Sequence, residues 1–130
     1  MATQKGLRNE LGRVRGLGSA KEGVSHWWRQ RLTAIALVPL SLWFVASLIC
    51  ITGADRAAAV HWLGSPVNLG VMILFIGALF YHAVLGLQVV IEDYIHGHSA
   101  RIVLIVLVQF AGFALAMAAI ISLLVIAFGH

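Results

Sequence analysis

Three long apolar stretches, separated by two short polar connections, set the pattern of this chain: Leu32 to Thr52, Leu69 to Ile91 and Ile102 to Phe128. Each exceeds the roughly 20 residues that a helix needs to cross a 30 Å hydrocarbon layer. Backbone amides left unpaired are not tolerated in lipid, and segments of this length are too long for barrel strands, so the pattern predicts three transmembrane helices. The connection Gly53 to Asn68 contains Gly64-Ser65-Pro66, a turn signal, and Glu92 to Arg101 contains His96-Gly97-His98-Ser99. Pro39 falls inside the first stretch, where it removes one backbone bond; the helix there either bends or tolerates the loss. No internal repeat or low-complexity tract is present.

Composition agrees with lipid as the solvent. Of the 130 residues, 61% are hydrophobic and 11% are charged, against about 25% charged in a soluble domain. The charge bias then gives an orientation. Of nine Lys and Arg residues, Lys5, Arg8, Arg13, Arg15, Lys21, Arg29 and Arg31 all precede the first span. Positive residues collect on the cytoplasmic side, so the N-terminus is expected there. Three crossings put the Gly53–Asn68 loop outside, the Glu92–Arg101 loop inside and His130 outside. Trp27 and Trp28 would mark the inner interface and Trp62 the outer one. The division expected is a basic cytoplasmic segment, residues 1–31, followed by a three-helix anchor, residues 32–130. The net charge of +4 gathers beside a span, which points to a membrane surface and away from nucleic acid. A cleaved signal peptide fits poorly, because the apolar run is long and two more spans follow. Cys50, the single cysteine, has no partner for an internal disulfide and reads as a small apolar group.

His82 stands out against this background. It lies within the second span, and an ionisable group at that depth costs roughly 3 kcal/mol or more, so it is expected to face a partner. Two readings are open: axial ligation of haem iron, or a hydrogen bond to a neighbouring helix. With 3.6 residues per turn, Phe75, Ala78, His82, Leu85, Gly86, Val89 and Asp93 fall near one face. Ala78 and Gly86 flank His82 and leave room for a neighbouring helix or a flat macrocycle. His26, His61, His96, His98 and His130 all lie at or beyond the span ends, so a second axial ligand would have to come from another chain. Asp93 lies three turns beyond His82, a rise of roughly 16 Å, at the expected cytoplasmic rim with Tyr94 beside it. A phenol there can donate to a quinone carbonyl, and a carboxylate can relay a proton; interfacial Tyr and solvated acids are also common at such a rim. Gly16-Leu17-Gly18 lacks the spacing and the preceding strand of a phosphate loop. His96-x-His98, without further ligands, reads as solvated.

These residues resemble a known family. The segment Gly23-Val24-Ser25-His26-Trp27-Trp28-Arg29-Gln30-Arg31-Leu32-Thr33-Ala34, the run from His82 through Gly86 and Gln88 to Asp93-Tyr94, and the three-span layout are similar to the hydrophobic membrane anchor (D-type) subunit of succinate dehydrogenase, respiratory complex II. The His-x3-Gly-x-Gln-x4-Asp-Tyr spacing is the specific part, and the Arg-rich N-terminus looks like that of alphaproteobacterial members. The resemblance implies an all-α membrane protein of the bacterial inner membrane that packs with a partner anchor as a helical bundle around haem b. It implies that each anchor gives one axial histidine, here His82. Tyr94 matches the quinone-binding tyrosine and Asp93 its neighbouring acid. Arg31 matches a basic residue near the haem propionates and quinone cavity; His26 matches less closely, its spacing to Arg31 differing by one.

The same resemblance implies a flavoprotein that oxidises succinate, an iron–sulfur subunit that passes electrons to ubiquinone, and a second anchor (cytochrome b) subunit as partners. It admits a higher oligomer of the complex. The chain carries neither flavin nor iron–sulfur motifs, so no dehydrogenase activity is expected of it alone. Three rivals remain: an anchor of a quinol:fumarate reductase, a haem-free structural anchor, and a small coupled transporter. The transporter would need a carboxylate inside a span, and all five acids lie outside the spans or at their ends.

Overall fold

A computed structural model describes residues 17–129 of the chain, with side chains from Gly23 onward. Lys5, Arg8, Arg13, Arg15 and His130 lie outside the described residues, as does the side chain of Lys21. Among the described residues four helices follow in order: α1 Leu17–Ile51, α2 Arg56–Gly64, α3 Pro66–Tyr94 and α4 His98–Phe128. Three of them, α1, α3 and α4, are long and apolar enough to cross a membrane.

Each helix end has a local cause. Gly53 takes a φ of 90°, a left-handed turn that favours glycine, and this ends the segment after α1. Asp55 then caps α2, its carboxylate accepting from Ala58 N–H at 2.8 Å. The short α2 replaces part of the plain connection expected between the first two spans, since nine residues are too few for a periodic signal to separate from a loop. The turn at Gly64-Ser65-Pro66 forms where expected, with Ser65 N–H donating to Trp62 O at 3.3 Å and Pro66 opening α3. Proline suits that first position because its missing N–H has no helical partner there. The Asn68 amide fastens the corner by donating to Trp62 O at 2.9 Å. At the far end of α3, Ile95 N–H donates to Ile91 O at 2.9 Å, and the Arg101 guanidinium donates to Ile95 O at 3.1 Å. An arginine at the start of α4 thus satisfies a carbonyl that α3 leaves open. Pro39 sits within α1, which runs unbroken past it.

The chain divides into residues 1–32 and residues 33–130. In the first unit, α1 carries a cluster of long side chains. Trp27 and Trp28 meet edge to face at 5.2 Å, and the Arg31 guanidinium stacks over the Trp27 ring at 5.2 Å. The Arg29 guanidinium donates back to Ser25 O at 3.3 Å.

In the second unit the helices run antiparallel. A small core of Leu63, Leu69 and Ala127 ties α2, α3 and α4 together at one end, with Trp62, Ile73 and Leu123 packed around it. Helices α3 and α4 approach closely at Gly112, where an added Cβ would collide with the Val84 methyl. Helix α1 meets its neighbours through larger side chains: Phe44 stacks on Phe75 at 4.8 Å and Trp43 on Trp62 at 5.8 Å. Most other apolar side chains of the long helices face outward, which in lipid carries no penalty. Cys50, expected to pack as a small apolar group, is instead exposed on that outward surface.

Candidate functional site

The site begins with a hydrogen bond across α1 and α3: the His82 Nδ1 atom lies 2.9 Å from Thr33 Oγ1. The second of the two readings left open by the sequence, a bond to a neighbouring helix, is therefore present. It occupies one ring nitrogen and leaves Nε2 without a hydrogen bond among the described residues. His82 itself is half-buried. Antiparallel pairing explains why these two residues meet. Moving along α1 from Thr33 to Phe44 while descending α3 from His82 to Phe75 keeps the helices in contact.

Small residues shape the surroundings. Ala78 and Gly86 lie one turn either side of His82 on α3, both half-buried. Leu85, 5% exposed, and Phe75, 8% exposed, form the packed part of the same helix. Val84, two positions along from His82, is the residue seated against Gly112 of α4. The imidazole thus projects from a helix held on one side by α4 and on the other by Thr33.

Asp93 and Tyr94 close α3, and both are exposed; Tyr94 reaches 77%. Neither is brought to His82, since the helix separates them by roughly three turns. Next to them Gln88 donates to the Glu92 carboxylate at 3.0 Å, one turn apart on the helix surface. Gln88 belongs to the spacing pattern and here orients Glu92. His96 and His98 are exposed and flank Gly97 at the start of α4. No group of three or more metal-ligating side chains occurs among the described residues.

Arg31 and His26 belong to the first unit. Arg31 is exposed and engaged with Trp27. The His26 Nε2 atom is shielded and has no hydrogen-bond partner among the described residues.

Thr33 received no role in the sequence reading, although it stands in the segment that carried the family resemblance. The available signal was a hydroxyl just inside an apolar span, at a position that antiparallel pairing would bring level with His82.

Comparison with known proteins bears on what this arrangement is for. The chain matches the family described as succinate dehydrogenase/fumarate reductase transmembrane subunit over residues 5–116. A succinate dehydrogenase hydrophobic membrane anchor subunit of Rickettsia bellii is 40% identical over 103 residues, covering 79% of this chain and 82% of the relative. The subunit of the same name from Paracoccus denitrificans is 31% identical over 108 residues, covering 83% of each chain. A succinate dehydrogenase membrane anchor subunit of Reclinomonas americana is 36% identical over 92 residues, covering 68% of this chain and 77% of the relative. No solved structure matches the chain. Three membrane-length helices and a family match that takes in both Thr33 and His82 lead to one conclusion: the chain belongs to the succinate dehydrogenase/fumarate reductase transmembrane subunit family, as a multi-pass membrane anchor subunit of succinate dehydrogenase.

Proposed function

We propose that this chain co-ligates haem b with a second anchor (cytochrome b) subunit and forms part of a ubiquinone-reducing site, in the inner membrane, with its N-terminus cytoplasmic and its C-terminus periplasmic. The observation that carries the reading is the state of His82: an imidazole within a membrane span, tied at Nδ1 and with no hydrogen bond at Nε2 among the described residues. This donor fits haem. Iron takes a neutral imidazole at one nitrogen while the other carries the proton and a hydrogen-bond partner. Ala78 and Gly86, small residues one turn either side of His82, suit a macrocycle lying against this face.

Bound haem would supply a one-electron redox centre near the quinone. The residues of this chain have separate tasks. His82 would hold haem through Nε2, together with a residue of the partner anchor. Tyr94, exposed at the end of α3, orients a quinone carbonyl by donating its phenolic proton in a hydrogen bond. Asp93 accepts or relays a proton as the quinone takes up two electrons and two protons. Arg31 carries a permanent charge suited to a propionate or to the quinone cavity, with His26 in support. The charge bias toward the N-terminus supports placing Tyr94 on the cytoplasmic side, where an iron–sulfur subunit would deliver electrons after a flavoprotein oxidises succinate.

The test is His82→Ala in the assembled complex. Haem should be lost or strongly depleted, read as the reduced-minus-oxidised optical spectrum normalised to covalently bound or extracted flavin. An unchanged spectrum would reject His82 as a haem ligand, and a parent complex with no haem spectrum would leave a haem-free anchor.

A further inference from the structure

We infer that Thr33 is a positioning residue for the haem ligand: its hydroxyl accepts the Nδ1 proton of His82, fixing the tautomer that turns the Nε2 lone pair toward iron. This inference rests on the haem reading above and goes beyond it by assigning a residue on a different helix.

The Oγ1–Nδ1 distance of 2.9 Å is that of a full hydrogen bond. Both residues are half-buried within membrane-length helices, where water competes poorly and the bond has little alternative. With iron on Nε2, Nδ1 must carry the proton, so the direction of donation is settled: imidazole to hydroxyl oxygen. A threonine in a helix can return its own proton to a backbone carbonyl one turn back, which leaves the oxygen lone pairs for the ring. Threonine is β-branched, so its χ1 is confined to a few wells and the hydroxyl has few positions to take. The Gly112–Val84 approach clamps α3 from the other side, two residues from the ligand. The ring is thus held in orientation as well as in protonation state.

The chemical consequence is definite. A hydrogen bond at Nδ1–H raises the basicity of the coordinating nitrogen. A more basic axial ligand favours the oxidised iron and lowers the haem midpoint potential. Removing the acceptor should therefore raise that potential.

The experiment uses the complete complex with variants of this chain: Thr33→Val, Thr33→Ala, Thr33→Ser and His82→Ala. Haem content per flavin, the potentiometric midpoint and the low-temperature low-spin electron paramagnetic resonance g-values are read for each. Thr33→Val, nearly isosteric but without an acceptor, should keep haem, shift the midpoint upward and move the g-values. Thr33→Ser should restore both to the parent values. Thr33→Ala tests the same bond with a smaller side chain where the valine hinders assembly. A midpoint and g-values unchanged in Thr33→Val or Thr33→Ala would overturn the role. Assembly with Ser but with neither Val nor Ala would also count against it, because Thr33 would then act in packing and not through the ligand. The underlying reading fails differently: His82→Ala would keep the parental haem spectrum, or the parent complex would hold no haem.

Discussion

Tyr94 shows how little a single residue needs from the fold to be chemically useful. It ends α3, stands 77% exposed, and follows Asp93 directly. A phenol so placed is available to a ligand at the membrane surface and contributes almost nothing to packing. Tyr94→Phe removes one hydrogen-bond donor and leaves the ring. Quinone reduction should fall roughly tenfold, the equivalent of about 1.4 kcal/mol in transition-state stabilisation. Succinate oxidation with an artificial acceptor should persist, and a matched loss of both activities would point to disrupted assembly in place of a lost donor. His82 is the opposite case, since its value depends wholly on what surrounds it. One nitrogen is spoken for by Thr33 at 2.9 Å, and only the remaining one can serve a metal.

At the scale of elements, the contact between α3 and α4 controls where His82 sits. Gly112 is buried, and a Cβ there would run into the Val84 side chain. Lipid offers no hydrophobic drive for helix association, so close backbone approach at small residues carries much of the affinity. Gly112→Ala should force the two helices apart and cost about 1–3 kcal/mol, as overpacking does. The thermal midpoint of the purified complex should drop, and the haem spectrum should be perturbed with it. Adding Val84→Ala to Gly112→Ala should recover part of the loss. Full additivity in the double variant would mean that the two side chains do not share this contact. The Asp55 cap and the Arg101–Ile95 bond play a lesser part by fixing where α2 begins and α3 stops.

For the whole molecule the question is which way it lies in the membrane. Basic residues before the first span predict a cytoplasmic N-terminus, and the single span between the two connections then sends them to opposite sides. In a Cys50→Ala background, Ala57→Cys on α2 should react with a membrane-impermeant thiol reagent in right-side-out vesicles. Ser99→Cys at the start of α4 should react only in inside-out vesicles. Reversal of the two results would invert the topology and remove Tyr94 from the cytoplasmic face. Arg56, on the same side as Ala57, should tolerate Arg56→Ala with quinone turnover nearly unchanged. The described core is also thin: Leu63, Leu69, Phe75, Leu85 and Ala127 are its buried apolar residues. A chain with so little interior of its own is suited to being completed by neighbours.

Hydropathy alone determined the three membrane-length helices, because a run of about twenty apolar residues has one stable form in lipid. It placed their ends less well. Helix α1 begins by Leu17, well before the apolar run, since Arg29 and Arg31 interrupt hydropathy without interrupting a helix; both are good helix formers. The short α2 was illegible because nine residues give too little periodicity to read. His82, Asp93 and Tyr94 could be singled out from residue type and spacing, since an ionisable group in an apolar span is conspicuous on the page. Thr33 could not, because threonine is unremarkable in such a run. Only the antiparallel packing of α1 on α3 decided that its hydroxyl meets Nδ1, and only the approach of α4 decided why position 112 is glycine. One-dimensional pattern fixes which segments enter lipid; the pairing of helices, which depends on side-chain shape across chain-distant positions, fixes which atoms meet there.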